Sequence, residues 1–240
     1  MRAGRSGCAS SARSSTSSGG TGTSAPRSLE PAGRRLGILG GTFNPPTLAH
    51  LLLAQEAHSQ LGLDEVVLMP VFAPPHKEAA EDPGPEARAE MCRIAVGDDP
   101  RFSVSELEIE RGGASYTVDT LRELHATFPG NELSFIIGGD MAFSLPTWRE
   151  PGEVVALARL AVAEREGARR ADILERLATI PGAVDRTDFF DLPRVDISSS
   201  LVRRRVTAGR PIRYLVPDGV AGYVAEHRLY AGSVSSQPTA

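Results

Sequence analysis

Between residues 34 and 230, short apolar runs alternate with longer stretches of helical periodicity, and this alternation restricts the fold more than any other property of the chain. A strand that is apolar throughout needs cover on both faces, which parallel strands joined by crossover helices supply. The spacing predicts strands at 35–39, 65–70, 133–137, 159–163 and 188–192, and an extended segment at 101–109. It predicts helices at 47–61, 86–96, 117–128, 172–179, 199–208 and 218–229. The expected architecture is α/β: a parallel sheet flanked by helices, with a small C-terminal helical part. Glu106, Glu108 and Glu110 alternate at strand spacing, so they are expected to form one solvent face.

The remaining sequence sets the limits. With 240 residues and 41% hydrophobic content, one core of ordinary size is expected, spanning 34–232. Residues 1–33 are rich in Ser, Gly and Arg and read as a disordered tail, a composition also shared by transit peptides and by mis-assigned starts. Residues 233–240 read as a second disordered tail. A net charge of -4 without a basic stripe argues against a nucleic-acid partner, and no apolar run is long enough to span a bilayer. Cys8 and Cys92 suggest neither a disulfide framework nor a thiolate metal site, which fits a reducing, cytoplasmic setting.

Two segments have the composition of anion sites. Gly40-Gly41-Thr42-Phe43-Asn44-Pro45-Pro46-Thr47-Leu48-Ala49-His50 joins the first strand to the first helix, where α/β sheets bind ligands. The glycines allow close backbone approach, Thr47 and His50 share a helical face, and a helix start offers free N–H groups. The bland alternative is a capped βα turn with a surface histidine. The second segment, Ile197-Ser198-Ser199-Ser200-Leu201-Val202-Arg203, opens a helix on which Ser200 and Arg203 face the same way. Taken alone, it reads as a capped helix with a solvated arginine run.

Both segments stand in order with Pro74-Pro75-His76-Lys77, Ser115 to Leu121, Ile137 to Asp140, Leu145 to Trp148, and Tyr214 to Pro217. Over roughly 34 to 230, the chain thereby resembles the bacterial nicotinate-nucleotide adenylyltransferases of the HxGH nucleotidyltransferase group. The resemblance implies a Rossmann-like nucleotidyltransferase fold and in-line attack of a mononucleotide phosphate on the α-phosphorus of ATP. ATP is then a substrate, magnesium arrives with it, and no dedicated metal site is expected. His50, Thr47 and Arg203 are implied as catalytic, with His50 donating to a phosphate oxygen as an imidazolium and Thr47 contacting a phosphate. Gly40, Gly41, Thr42, Phe43, Asp140, Ile197, Ser198 and Ser200 complete the implied ATP site, although Asp140 would serve equally as a helix cap. On the mononucleotide side, the resemblance implies stacking by Trp148, a point charge from Lys77, backbone approach at Thr42, and N–H groups of Thr117 and Arg149 for the ring carboxylate. The chain departs from the family at Thr47, usually histidine, and at Ala49, usually glycine. Those departures leave two alternatives open: another adenylyl- or cytidylyltransferase, such as one acting on phosphopantetheine, and a non-catalytic nucleotide-binding module.

Overall fold

The computed structural model describes residues 33–73, 81–164 and 170–231. Apart from Gly33, the two expected tails lie outside these residues, and so do His76 and Lys77.

Six parallel strands form one sheet: β1 (Arg35–Gly41), β2 (Glu65–Pro70), β3 (Phe102–Val104), β4 (Glu132–Gly138), β5 (Arg159–Glu164) and β6 (Thr187–Asp191). Their spatial order is β3-β2-β1-β4-β5-β6, so the chain builds outward from β1 on one side and then restarts on the other at β4. The crevice beyond the carboxyl ends of β1 and β4 is therefore the topological switch point, where sheets of this order take ligands. Strand composition explains the layering. Val67 and Met69 of β2, Phe135 and Ile137 of β4, and Leu160 and Val162 of β5 pack into one core. Their neighbours Val66, Leu68, Ile136, Ala161 and Ala163 pack into the core on the opposite face. This period of two, with both faces apolar, is what produces unbroken hydrophobic runs in the sequence.

The helices are α1 (Leu48–Leu61), α2 (Pro85–Val96), α3 (Leu107–Arg111), α4 (Thr117–Thr127), α5 (Gly139–Ser144), α6 (Pro151–Leu157), α7 (Arg170–Leu177), α8 (Ser199–Thr207) and α9 (Asp218–Glu226). A third core, built from Met91, Val202, Val216, Val220, Val224 and Tyr230, joins α2 to the C-terminal helices. Among the described residues, no helix is long and apolar enough to cross a membrane.

The segment at 101–109 differs from expectation. Only Phe102–Val104 is a strand, and the glutamates fall at and inside α3. Two residues along a helix turn the side chain through about 200°, so Glu108 points away from Glu106 and Glu110. Glu108 is buried, whereas Glu110 is exposed. The three do not form one solvent face.

Candidate active site

The loop from Thr42 to Thr47 turns the chain from β1 into α1. Phe43 adopts φ 49°, in the left-handed region, and its ring is buried beneath the loop. A Cβ at Gly41 would stand 3.1 Å from that ring, closer than most packed contacts, so any side chain there would press on the buried ring. The Phe43 side chain, expected at the nucleotide, instead meets the His50 ring edge-on at 5.2 Å, leaving any nucleotide contact to its backbone.

Thr47 is the N-cap of α1, and His50 is the third residue of its first turn. His50 Nδ1 accepts the Thr47 backbone N–H at 2.9 Å and lies 2.8 Å from Thr47 Oγ1. The imidazole thus performs the back-reaching role that Glu or Gln plays in a capping box. Thr47 is fully buried, with its hydroxyl turned to His50 and not toward the expected phosphate position. In the ligand-free protein, burial pushes the His50 pKa down to about 4, and an Nδ1 that accepts a backbone proton leaves the neutral Nε2–H tautomer. The imidazole is a neutral donor there, and the expected imidazolium needs the phosphates beside it.

Two cavities meet at the switch point. One, of about 360 Å³, is lined by His50, Gly139, Asp140, Ile197 and Ser198 among others. The other, of about 170 Å³, is lined by Gly40, Gly41, Thr42, Thr117 and Trp148 among others. Met141, half exposed, borders both. Of the sequence-predicted residues, Phe43, Thr47, Arg149, Ser200 and Arg203 line neither space, and Gly40 and Gly41, expected at ATP, line the smaller one. Trp148 sets its ring edge-on to Phe135 at 6.0 Å and donates its indole N–H to Ser144 Oγ at 3.1 Å, which fixes its plane. The Arg149 side chain turns to Asp119 at 3.2 Å and lies over the Tyr116 ring.

The serine-arginine segment meets the first loop from the other side. Ser199 Oγ donates to Pro45 O at 2.8 Å, and Arg203 donates to Asn44 O at 2.7 Å and to Ser200 Oγ at 3.3 Å. Ser198 caps α8 by accepting Leu201 N–H at 3.2 Å. Arg203 therefore sits against the loop that leads into the helix of His50, although 153 positions separate the two residues. In the free protein, Arg203 and Ser200 hold the loop and do not line the cavity.

Sequence reasoning missed Arg88, Ser199, Glu108 and Met141. Arg88 is fully buried and donates to Thr42 O at 3.0 Å, Val71 O at 2.7 Å, Phe72 O at 2.8 Å and Asp82 Oδ1 at 2.9 Å. It ties the first loop to the segment leaving β2. Glu108 lines the smaller cavity and accepts from Thr120 Oγ1 at 2.5 Å. Burial raises its pKa, against the opposing pull of the Thr120 and Ser115 hydroxyls and Arg111. Among the described residues, no group of three or more His, Cys, Asp or Glu is arranged to hold a metal.

Residues 38–205 match the family model described as cytidylyltransferase-like. Together with the strand order and the paired cavities, that match defines the chain as a nucleotidyltransferase of this class. A Lactiplantibacillus plantarum protein named probable nicotinate-nucleotide adenylyltransferase is 43% identical over 197 residues, covering 82% of this chain and 88% of the relative. One of the same name from Citrifermentans bemidjiense is 43% identical over 211 residues, covering 82% and 98%. The chain belongs to the nicotinate-nucleotide adenylyltransferase family. Its fold matches the Plasmodium falciparum nicotinic acid mononucleotide adenylyltransferase complexed with NaAD at a TM-score of 0.67, with 20% identity and coverage of 82% and 97%.

Proposed function

We propose that this chain transfers the adenylyl group of ATP to nicotinate mononucleotide, forming nicotinate adenine dinucleotide for NAD biosynthesis and releasing pyrophosphate. The observation that carries this reading is the meeting of the His50 loop, the end of β4 and the start of α8 at two adjoining cavities, one for each nucleotide. A mononucleotide phosphate oxygen forms a bond to the α-phosphorus as the bond to pyrophosphate breaks, so no protein nucleophile is needed. Catalysis consists of alignment and charge neutralisation. His50 Nε2–H donates to the ATP phosphates, and the start of α8 directs N–H groups toward the same charge. Ser198, Ser200 and Arg203 engage the triphosphate, with Arg203 exchanging part of its hold on the loop for the nucleotide. Magnesium enters as part of the MgATP substrate. In the smaller cavity Trp148 stacks on the pyridine ring, and the backbone N–H groups of Thr117 and Arg149 receive its carboxylate, so an amide would leave donors facing donors. The enzyme works in the cytoplasm, where both nucleotides are supplied.

The test is pyrophosphate release from MgATP with nicotinate mononucleotide, nicotinamide mononucleotide and phosphopantetheine in parallel. Preference for the first is expected. Preference for either of the others would redirect the assignment, and ATP binding without release would indicate a binding module. Thr47→Ala is expected to lower kcat by at least about tenfold, because the imidazole, left with the backbone N–H alone, holds Nε2 less firmly toward the phosphates. Thr47→Ser, which keeps the hydroxyl, should stay near the parent rate. Equal rates for the parent and the alanine variant would show that the cap does not orient His50.

A further inference from the structure

The end of the described domain reaches back to the nucleotide loop. Tyr230, 7% exposed, donates its hydroxyl to Asn44 Oδ1 at 2.6 Å, across 186 positions of sequence. Asn44 is 2% exposed; its Nδ2 donates to Glu81 O at 3.2 Å, and its backbone carbonyl accepts Arg203 at 2.7 Å. Among the described residues the phenol is the hydrogen-bond donor to Asn44 Oδ1, so without it this buried acceptor would be unsatisfied. The ring of Tyr230 belongs to the third core, a role phenylalanine could fill, whereas its hydroxyl meets Asn44. The approach is also conformationally costly. Arg228 and Tyr230 take φ of 51° and 60°, in the left-handed region, and Thr207 Oγ1 donates to Tyr230 O at 3.0 Å to hold the turn.

From this geometry we infer that Tyr230 is a positioning residue for ATP: its hydroxyl fixes Asn44, and through it the loop that carries His50 and receives Ser199 and Arg203. The inference rests on the adenylyl-transfer reading for what the loop binds. Its selectivity follows from how the loop is held. The Asn44-Pro45 portion is gripped by Tyr230, Arg203 and Ser199, while the Thr42 carbonyl beside the smaller cavity is gripped by Arg88 of α2. Loss of the phenol hydroxyl therefore loosens the ATP half and leaves the mononucleotide half in place.

The variant to make is Tyr230→Phe. KM for ATP is expected to rise about tenfold, the loss of one hydrogen bond's worth of positioning, with KM for nicotinate mononucleotide within about twofold of the parent. Asn44→Ala combined with Tyr230→Phe should be no worse than Asn44→Ala alone, as for two members of one contact. Titration calorimetry with ATP alone reads the same loss without turnover, so a protein that binds ATP but transfers nothing refutes the reaction while leaving this inference to be judged. Equal rises in both KM values, or a lowered melting temperature with ATP affinity unchanged, would overturn it. Should the phenylalanine variant fail to fold, hydrogen exchange on the unmodified chain decides. Linkage is reciprocal, so ATP must slow exchange of the Arg228 and Leu229 amides, and unchanged rates there reject the coupling.

Discussion

Arg88→Ala is expected to destabilise the protein by about 3–5 kcal/mol, the typical result of removing one partner from a buried charge network. The guanidinium serves three backbone carbonyls and the Asp82 carboxylate from a fully buried position. Truncation leaves Thr42, Val71 and Phe72 carbonyls without that donor, at about 1–3 kcal/mol for each one that water cannot reach. Asp82 is partly exposed and recovers solvation, so the carbonyls dominate the loss. Arg88→Lys should restore less than half of it, because an ammonium cannot span the fork that reaches Thr42, Val71 and Phe72 together. Urea denaturation read by circular dichroism gives the comparison. An alanine variant with an unchanged midpoint would mean that the loops close around the missing side chain and satisfy themselves.

His50→Ala is expected to lower kcat by about 10²–10³, the range for removing one preorganised donor to developing oxyanion charge, while the fold persists. The same variant should also change how stability depends on pH. Burial holds the His50 pKa at about 4 in the folded protein, against the ordinary histidine value of 6.5. Between those limits the unfolded chain binds a proton that the folded one refuses, so His50 makes stability rise with pH through this window and adds nothing to the slope above it. His50→Ala should flatten the slope between about pH 4 and 6.5. Bound ATP works in the opposite direction, since its phosphates favour the imidazolium, and should weaken the dependence in the unmodified protein. Nitrogen-15 spectra of the ligand-free protein should show the Nε2–H form of His50 at neutral pH. A protonated Nδ1 there would contradict the bond from the Thr47 backbone.

The sheet was legible because β2, β4 and β5 are buried on both faces, and within their runs Ser134 alone interrupts the apolar residues. α3 was not, since Glu106 to Arg111 alternates acid with Leu107 and Ile109 in a pattern that strand geometry also satisfies. A tertiary contact decides between them: the Thr120 hydroxyl that receives Glu108 belongs to another helix. α5 and α6 lie among Gly139, Pro146 and Pro151 and are too short to establish a helical period. Within the site, Thr47 and His50 were rightly placed on one helical face, but that spacing fits two residues aimed at a ligand and two aimed at each other equally well. Arg88 carried a readable sign. It falls one turn before Cys92 on the buried side of α2, beside Ala89 and Met91, where an arginine needs buried acceptors.

The hydrogen bond from Tyr230 to Asn44 also bears on how the protein is made. Asn44 leaves the ribosome early, and at about 5–20 residues per second its partner, 186 positions on, follows roughly 10 to 40 seconds later. Every strand of the sheet has been synthesised before that bond can close. A nascent chain released just short of Tyr230 would thus own a complete sheet, an unfinished mouth for its nucleotide and a third core missing its last ring.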